Sequence, residues 1–291
     1  MDVLTEINKI VRFKMQLKGF KSKMVETSIS RQHVYDVKGK GKLPTLVVLH
    51  GIGANSTSFE KVLSIFQRFF NRIVVPEAPG HGFSENPLMM DADVVYDGVS
   101  SVINKLIDEE CIIFGNSMGG AIAIKYAINH PEKVKALSLS SPGGAYMTPE
   151  EWDRFLDRFR VKNHLEAIKF MNNITAKPNL FASVLLAEHI LVNGVGSRHI
   201  QDLVNSVPHD YLFTPEELEK IKMPIQFIWG KQDRIMIKEQ LQFFKNHLPK
   251  HTIIEEPEEF GHCPYLDHPV QLAARVIDFC EKLDVKRLEI K

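Results

Sequence analysis

The chain has 291 residues, of which 44% are hydrophobic and 25% are charged, and its 36 basic residues are balanced by 36 acidic ones. This balance argues against a nucleic-acid-binding protein, and three cysteines without a CxxC pair argue against a disulfide framework or a zinc knuckle. The sequence contains no HExxH motif, which would indicate a metal site. It also contains no apolar run of the about 20 residues that a membrane span needs. We therefore expect a cytoplasmic globular protein.

Residues 1–23 are expected to form an amphipathic N-terminal helix or extension. Charges run through the whole segment, so it lacks the uninterrupted apolar region of a signal peptide. Apolar side chains recur at helical spacing, at Val3, Leu4, Ile7, Ile10 and Val11. Basic side chains lie between or after them, at Lys9, Arg12, Lys14 and Lys18. Docking on the protein body is the commoner arrangement for such a helix, and the alternative is a weak peripheral contact with a membrane surface.

Strands and helices alternate from residue 24 onward. Strands are predicted at 24–29, 32–37, 45–50, 72–76, 111–114, 134–140, 225–229 and 251–256. Helices are predicted at 57–70, 94–108, 119–130, 237–247 and 269–283. The first two strands are expected to pair as an antiparallel hairpin at one sheet edge, and the helix at 57–70 is expected to begin with a capping box of Thr57 and Glu60.

The alternation stops after the string Ser-Pro-Gly-Gly at 141–144. The following residues look helical as far as Lys222, and the string Thr-Pro-Glu-Glu occurs twice there, beginning at Thr148 and at Thr214. Each string has an N-cap threonine, proline at the first helical position and glutamate three residues after the cap. We predict an α/β fold with a mostly parallel sheet flanked by helices, a core at 24–141 and 223–291, and an inserted helical cap at 142–222.

A candidate nucleophile, Ser117, lies in the string Gly115-Asn-Ser-Met-Gly119. A buried strand precedes the string and a helix follows it, which is the context of a nucleophile elbow. Glycine at both ends allows close backbone approach, and the start of the next helix offers N–H groups and positive potential to a developing anion. The alternative is a serine in an ordinary turn of small residues.

A serine is inert unless a base accepts its proton, and the base in turn needs an acid to hold its tautomer. His262 follows the last predicted strand, and Asp233 follows the strand before it. Because functional groups gather at the carboxyl ends of parallel strands, Ser117, Asp233 and His262 are the predicted catalytic residues. Asp267 also lies near His262, but it is better explained as the cap of a helix that begins near Pro269.

The oxyanion hole is expected to combine two backbone N–H groups. One belongs to Met118, the residue after the nucleophile, and the other to Ile52, in the loop after the strand that ends at His50. His50 itself is expected to form structural hydrogen bonds and not to act as a base.

The chain resembles the α/β-hydrolase superfamily from about residue 24 to 283. The resemblance is carried by His50-Gly-Ile-Gly53, Pro79-Gly-His-Gly82, Gly115-Asn-Ser-Met-Gly-Gly120, Trp229-Gly-Lys-Gln-Asp233, Gly261-His262 and Asp267-His-Pro269. Two branches are similar: the elbow is similar to that of the meta-cleavage-product hydrolases, and the segments at 225–236 and 140–144 are similar to the monoacylglycerol lipases and carboxylesterases. Glu77 stands where an aspartate is commoner.

The resemblance implies a serine esterase or lipase that uses an acyl-enzyme on Ser117 and no cofactor. The expected partner is a small acyl substrate, lipid-like or short and including monoacylglycerol. A carbon–carbon hydrolase of meta-cleavage products is an alternative, although the loop at 50–53 lacks the Gly-Gly-Gly-Pro run of many such enzymes. A ligand-binding relative without catalysis is a second alternative.

The cap is expected to set substrate selectivity. Substrate-binding candidates are Tyr146, Trp152, Phe155 and Phe181, and further apolar candidates are Phe159, Phe170, Leu180, Leu185 and Leu186. For most of these side chains the alternative is packing within the cap's own small core.

Overall fold

The computed structural model describes residues 3–289, with the backbone only for residues 3–5, 7 and 284–289. Its strands are β1 (Lys21–Glu26), β2 (Arg31–Lys38), β3 (Leu46–Leu49), β4 (Arg72–Pro76), β5 (Cys111–Asn116), β6 (Val134–Ser140), β7 (Ile225–Ile228) and β8 (Ile253–Glu255). They form one sheet in the order β1-β2-β4-β3-β5-β6-β7-β8. The first two strands form an antiparallel hairpin, β2 also pairs antiparallel with β4, and all the other pairs are parallel.

The core helices are α1 (Val3–Leu17), α2 (Glu60–Phe66), α3 (Ala92–Leu106), α4 (Met118–Asn129), α10 (Lys238–His247), α11 (Pro264–Asp267) and α12 (Pro269–Glu289). Every residue of β3 and β5 is buried, as the continuous apolar runs of the central strands predict. α2 packs against α12, and α3 packs against α4. The mostly parallel sheet flanked by helices confirms the predicted fold class.

Five helices lie between β6 and β7: α5 (Pro149–Leu156), α6 (His164–Ile174), α7 (Leu180–Val192), α8 (Arg198–Ser206) and α9 (Pro215–Leu218). Thr148 and Thr214 both form the capping boxes that the repeated string predicts. Where this insertion begins and ends, the chain pairs with itself, because the Phe213 N–H donates to the Gly144 carbonyl at 2.7 Å. The pairing joins the two ends of the insertion next to β6.

The helix predicted at 57–70 begins differently. Its first turn is a 3-10 turn at Ser56–Phe59, capped by Asn55, whose side chain accepts from the Thr57 N–H at 3.1 Å. Glu60 does not return to cap the turn, because its carboxylate is bound by Lys14 of α1 and by Lys18, which follows α1. The predicted capping box of Thr57 and Glu60 is therefore wrong. Asn55, two residues before Thr57, caps the turn instead, and ion pairs with lysines occupy the carboxylate of Glu60.

The N-terminal helix α1 lies against the protein body. Met15 is fully buried, and Arg12 donates to the Ser22 hydroxyl at 2.8 Å. Ile10, which the helical spacing placed in the apolar stripe, instead points outward with 67% of its surface exposed. The side chains of Val3, Leu4 and Ile7 lie outside the described residues. Within residues 3–289, we find no helix that combines the length and the apolar character needed to cross a bilayer.

Candidate active site

Ser117 occupies a sharp turn between β5 and α4. Its backbone has φ 54° and ψ −120°, a conformation that residues with a side chain rarely adopt. A Cβ added to Gly119 would lie 2.3 Å from the carbonyl oxygen of Leu49, and one added to Gly115 would lie 2.4 Å from that of Gly119. The flanking glycines are thus required by close backbone contacts, which hold the strained serine at the carboxyl end of the central strand.

Asp233 and His262 are paired directly. The distance between Asp233 Oδ2 and His262 Nδ1 is 2.8 Å, and both side chains are buried. Because an ionised carboxylate only accepts hydrogen bonds, Nδ1 donates and Nε2 is left with its lone pair. This is the tautomer that a general base needs.

The environment of Asp233 favours its ionised form. Burial by itself raises the pKa of this carboxyl, but the nearby His262 and the N–H group of Met236 outweigh burial and hold the pKa below its ordinary value. The N–H groups of Ile235 and Met236 donate to Oδ1 at 2.8 and 3.0 Å. One carboxylate oxygen is therefore fixed by the backbone while the other orients the imidazole.

Ser117 and His262 line the same cavity. Within the described residues no hydrogen bond joins the Ser117 hydroxyl to the imidazole, although both side chains line this cavity. Asn116 fixes their backbones relative to each other, because its amide donates to the His262 carbonyl at 2.9 Å and to the Ser140 carbonyl at 3.0 Å. The sequence analysis missed this role of Asn116, although its place beside the nucleophile in a buried strand is a usable signal.

The two proposed oxyanion donors flank the nucleophile. Met118 is the first residue of α4, so its N–H has no partner within the helix, and Ile52 lies in the turn after β3. Both residues line a cavity together with Ser117. Among the described residues, no protein group accepts a hydrogen bond from either N–H. A Cβ on Gly51 would lie 3.2 Å from the Ser117 Cβ, which shows how closely this loop approaches the elbow.

His50 holds the loop that carries Ile52. Its Nδ1 donates to the Gly51 carbonyl at 2.8 Å, and its Nε2 accepts from the Ala78 N–H at 3.0 Å. Burial lowers the pKa of His50, which keeps the ring neutral and able to make both bonds. Both ring nitrogens are occupied by backbone groups, as expected for a structural histidine.

Two cavities meet at Ser117. The smaller, about 150 Å³, is almost entirely apolar, and the larger, about 330 Å³, has a more polar lining that includes His262. Ile52 and Phe159 line both cavities. A substrate attacked by Ser117 would therefore extend in two directions, into an apolar end and into a wider, more polar end.

The candidate substrate-binding residues separate into two groups. Trp152 and Phe155 line the smaller cavity, where their rings stack with centroids 5.7 Å apart. Tyr146 lines neither cavity and instead packs against the rings of His209 and Phe243. Phe181 also lines neither cavity, and 81% of its surface is exposed on α7. The structure thus places Tyr146 and Phe181 away from the site, because their backbone positions direct both side chains outward.

Three of the further apolar candidates also reach the cavities. Phe159, Phe170 and Leu186 line the larger one. Leu180 and Leu185 are exposed on the surface of α7. Only one side of α7 therefore lines the larger cavity, and apolar residues on its other side are exposed.

The loop between α6 and α7 is bound to the histidine loop. The Cys263 N–H donates to the Ile174 carbonyl at 2.8 Å, and Asp267 Oδ2 accepts from the Ala176 N–H at 2.8 Å. The expectation that Asp267 caps the helix at Pro269 is not what this contact shows. Asp267 ends the short helix α11, and from there its carboxylate binds the insertion.

The aspartate loop is bound to the same segment. Arg234, next to Asp233, donates to the Thr175 carbonyl at 2.6 Å. In the opposite direction, Arg158 of the insertion donates to the carbonyls of Arg234 and Ile235, both at 2.9 Å. These two arginines escaped the sequence analysis because nothing in their local pattern distinguishes them from surface cations.

Residues 44–269 match the family model for the alpha/beta hydrolase fold. The chain belongs to the α/β-hydrolase family. This match, together with the sheet order and the elbow at Ser117, confirms the family predicted from the motifs.

Several α/β-hydrolase relatives resemble the chain over most of its length. Monoacylglycerol lipase ABHD6 of Mus musculus is 25% identical over 273 residues, covering 85% of this chain and 79% of the relative. Lipase 1 of Psychrobacter immobilis is 23% identical over 297 residues, covering 96% and 90%. The crystal structure of a membrane phospholipase A, described as a bacterial virulence factor, gives a TM-score of 0.80 at 23% identity, covering 97% and 91%. The expected enzyme class, an α/β-hydrolase of the esterase and lipase kind, is confirmed at this level.

Proposed function

We propose that this α/β-hydrolase cleaves carboxylic esters, lipid-like or short and including monoacylglycerol, through an acyl-enzyme on Ser117. The observation that carries the proposal is the 2.8 Å hydrogen bond between Asp233 and His262 at a cavity that also contains Ser117 in its strained turn. The esterase and lipase names of the relatives support the ester as the bond that is broken.

The geometry supports a two-step mechanism. His262 Nε2 accepts the proton of Ser117 as its Oγ attacks the acyl carbon, and Asp233 stabilises the imidazolium that forms. The N–H groups of Ile52 and Met118 stabilise the oxyanion of the tetrahedral intermediate. The imidazolium then protonates the leaving alcohol. In the second step, the same histidine activates water, which releases the acid and restores the free serine.

The two cavities support an ester with two unequal parts. The smaller cavity is apolar, which suits a hydrocarbon acyl group, whereas the larger one offers polar groups such as Asn55 and Thr57. A polar alcohol such as glycerol fits the second environment better than the first, because its hydroxyls need hydrogen-bond partners when they leave water. We therefore assign the acyl group to the smaller cavity and the alcohol to the larger one.

The proposal includes a weak peripheral contact of α1 with a membrane surface. The helix exposes Ile10, Phe13 and Leu17 while carrying lysines along its flanks. An apolar face with basic flanks is the usual composition of a helix that lies in a membrane interface. A lipid-like substrate would be concentrated at such a surface.

The decisive experiment uses a fluorophosphonate probe and p-nitrophenyl esters. The wild-type chain should form a covalent adduct on Ser117 and release p-nitrophenol, and Ser117→Ala should lose the adduct and reduce kcat by at least about 1,000-fold. Ser138→Ala, a buried serine of β6 that binds Gln226, is the matched control and should keep both activities. Absence of an adduct in the wild type would contradict the proposal and favour a ligand-binding relative. An adduct combined with turnover of a dienoate ring-fission product, but of no ester, would favour the carbon–carbon hydrolase.

A further inference from the structure

Helix α7 exposes an unusual amount of apolar surface. Among its thirteen residues, Leu180, Phe181, Val184, Leu185 and Val192 are all exposed, whereas Ser183, Ala187 and Ile190 face the protein. A helix that is apolar on every side is normally buried in a core or in a membrane. Glu188 is also exposed on this side and pairs with His164, but the other exposed residues named here lack the polar character that contact with water alone would predict.

The exposed apolar surface continues onto α1, which packs against α7. Ile10, Phe13 and Leu17 lie three and four residues apart and so share one face of α1, opposite the buried Met15. We call the exposed apolar side chains of the two helices the α1–α7 face; its members are Ile10, Phe13, Leu17, Leu180, Phe181, Val184, Leu185 and Val192. A contiguous apolar surface of this kind marks a site of contact with a protein or a membrane.

The α1–α7 face adjoins the larger cavity. Asn8 and Val11 of α1 line this cavity, as do Leu186 and Ile190 of α7, and Ser117 lines it as well. The two helices that carry the face therefore also line the cavity that contains the candidate nucleophile.

Charges around the face favour an anionic partner. Five cations lie on or beside α1, at Lys9, Arg12, Lys14, Lys18 and Lys61, against three carboxylates at Glu6, Glu60 and Glu188. Lys9 pairs with Glu6, and Lys14 and Lys18 pair with Glu60. Glu188 is exposed on α7 and pairs with His164, so the named cations exceed the named carboxylates by two. Basic flanks around an apolar centre match the surface of an anionic bilayer, where headgroups lie above hydrocarbon.

We propose that the α1–α7 face docks on an anionic lipid bilayer, with the opening of the larger cavity turned toward the lipid. Docking itself is independent of catalysis. Its consequence, that a lipid-like ester enters the cavity from the bilayer without crossing bulk water, rests on the function proposed above. The face includes Phe181 and Leu185, two candidate substrate-binding residues that do not line the cavities. In this proposal they contact the bilayer from which the substrate enters the larger cavity.

Vesicle sedimentation tests the docking. The full chain should sediment with phosphatidylcholine vesicles that contain phosphatidylglycerol, and the double variant Phe181→Glu/Leu185→Glu should bind them at least about tenfold more weakly. Ile253→Glu is the matched control, because Ile253 is also exposed but lies on β8, at the opposite sheet edge from β1 and α1. Equal sedimentation of the wild type and the double variant would overturn the proposal.

A second measurement separates a bilayer from a second copy of the chain. Sedimentation velocity of the wild type without vesicles should show one species, the monomer. A dimer that the double variant dissociates would show that the α1–α7 face is an interface between copies, and this result would also overturn the proposal.

Failure of docking and failure of the proposed function give different results. Ser117→Ala should bind vesicles as the wild type does, and the double variant should still hydrolyse the water-soluble ester p-nitrophenyl acetate at the wild-type rate. Its rate on monoacylglycerol embedded in anionic vesicles should fall in proportion to its lost binding. An unchanged rate on the embedded ester would contradict delivery from the bilayer, whereas a loss on both esters would show damage to the site.

Discussion

Asn116 and His262 are joined across the site by a hydrogen bond of 2.9 Å from the asparagine amide to the histidine carbonyl. The same amide donates to the Ser140 carbonyl at 3.0 Å, so one buried side chain connects the ends of β5 and β6 to the histidine loop. These two hydrogen bonds therefore hold the backbone of the proposed base, His262, in a fixed position relative to the backbone of the proposed nucleophile, Ser117.

We expect Asn116→Ala to lower the rate of fluorophosphonate labelling about tenfold or more, because a shift of the histidine loop by a fraction of an ångström misaligns the proton transfer. Stopped labelling reactions measure this rate directly on folded protein. Ser138→Ala, which also removes a buried hydrogen bond, should lower the free energy of unfolding by about 1 to 3 kcal/mol without changing the labelling rate. Equal labelling rates in the two variants would contradict the positioning role of Asn116.

Glu77 is expected to be a structural anion. It is fully buried, and its carboxylate accepts from the N–H groups of Ser56 at 3.0 Å and Phe83 at 2.6 Å, and from His33 at 3.0 Å. Burial alone raises the pKa of Glu77, but His33 and the Phe83 N–H together bring the pKa below its ordinary value. The carboxylate therefore stays ionised and links β2, the turn that begins at Ser56 and the loop at Phe83.

Replacement by Glu77→Gln puts an NH₂ group against these donors and removes the partner of His33. We expect a loss of about 3 kcal/mol in the free energy of unfolding, measured by urea denaturation. Glu85→Gln is the control, because Glu85 forms an exposed pair with Arg31 and should change the same quantity by less than about 1 kcal/mol. A similar effect of both substitutions would show that the buried network contributes little.

Asp36 provides a pH-dependent contribution to stability. Burial raises its pKa, but hydrogen bonds from Arg72 and Lys23, at 2.8 to 3.1 Å, outweigh burial and lower the pKa below its ordinary value of 3.8. A carboxyl with a lowered pKa in the folded state stabilises the protein above its unfolded pKa and loses that effect as the pH falls through the folded pKa.

The variant Asp36→Asn should therefore be less stable than the wild type at neutral pH, by about 1 kcal/mol, since both cations are partly exposed. The difference should persist down to about pH 4 and shrink below it, because the wild-type carboxyl then becomes protonated as well. Denaturation curves at a series of pH values provide the measurement. A difference that stays constant into strong acid would exclude an electrostatic origin.

Trp152→Ala should broaden acyl selectivity, because the indole forms part of the wall of the apolar cavity. We expect kcat/KM for a long-chain p-nitrophenyl ester, relative to the acetate, to rise by about tenfold, which corresponds to about 1.4 kcal/mol of added apolar contact. Tyr146→Ala is the control, since Tyr146 lines neither cavity and should leave the ratio unchanged. A ratio altered only by Tyr146→Ala would show that the acyl group lies elsewhere.

The sequence predicted the elements whose patterns are local. The apolar run of β5, the glycines around Ser117 and the two capping boxes at Thr148 and Thr214 each depend on neighbours within a few residues. The wrong assignments arose where a distant side chain competes. Glu60 does not act as a cap because Lys14 and Lys18 bind its carboxylate. Asp267 does not cap its helix because its carboxylate accepts from the N–H of the distant Ala176.

The sequence also does not predict which side chains of the insertion point toward the cavities. Phe155 and Phe181 are both aromatic residues of cap helices, yet one lines the apolar cavity and the other is exposed. Which face of each helix turns inward depends on packing between helices that are distant in sequence. Periodicity is weakest in α7, where apolar residues occur on both the buried and the exposed sides.

The contacts of Thr175 and Ala176 with both loops of the proposed acid–base pair limit how this enzyme can be recombined. A Cβ on Gly261 would come within 2.4 Å of the Ala176 nitrogen, so this contact requires glycine at position 261. A chimera that takes residues 142–222 from a homologous protein would meet a mismatched Arg234, Gly261 and Asp267. Chimeras that exchange these three positions together with the helices of the insertion should retain turnover. The segment that must be exchanged as one unit is therefore larger than the insertion itself.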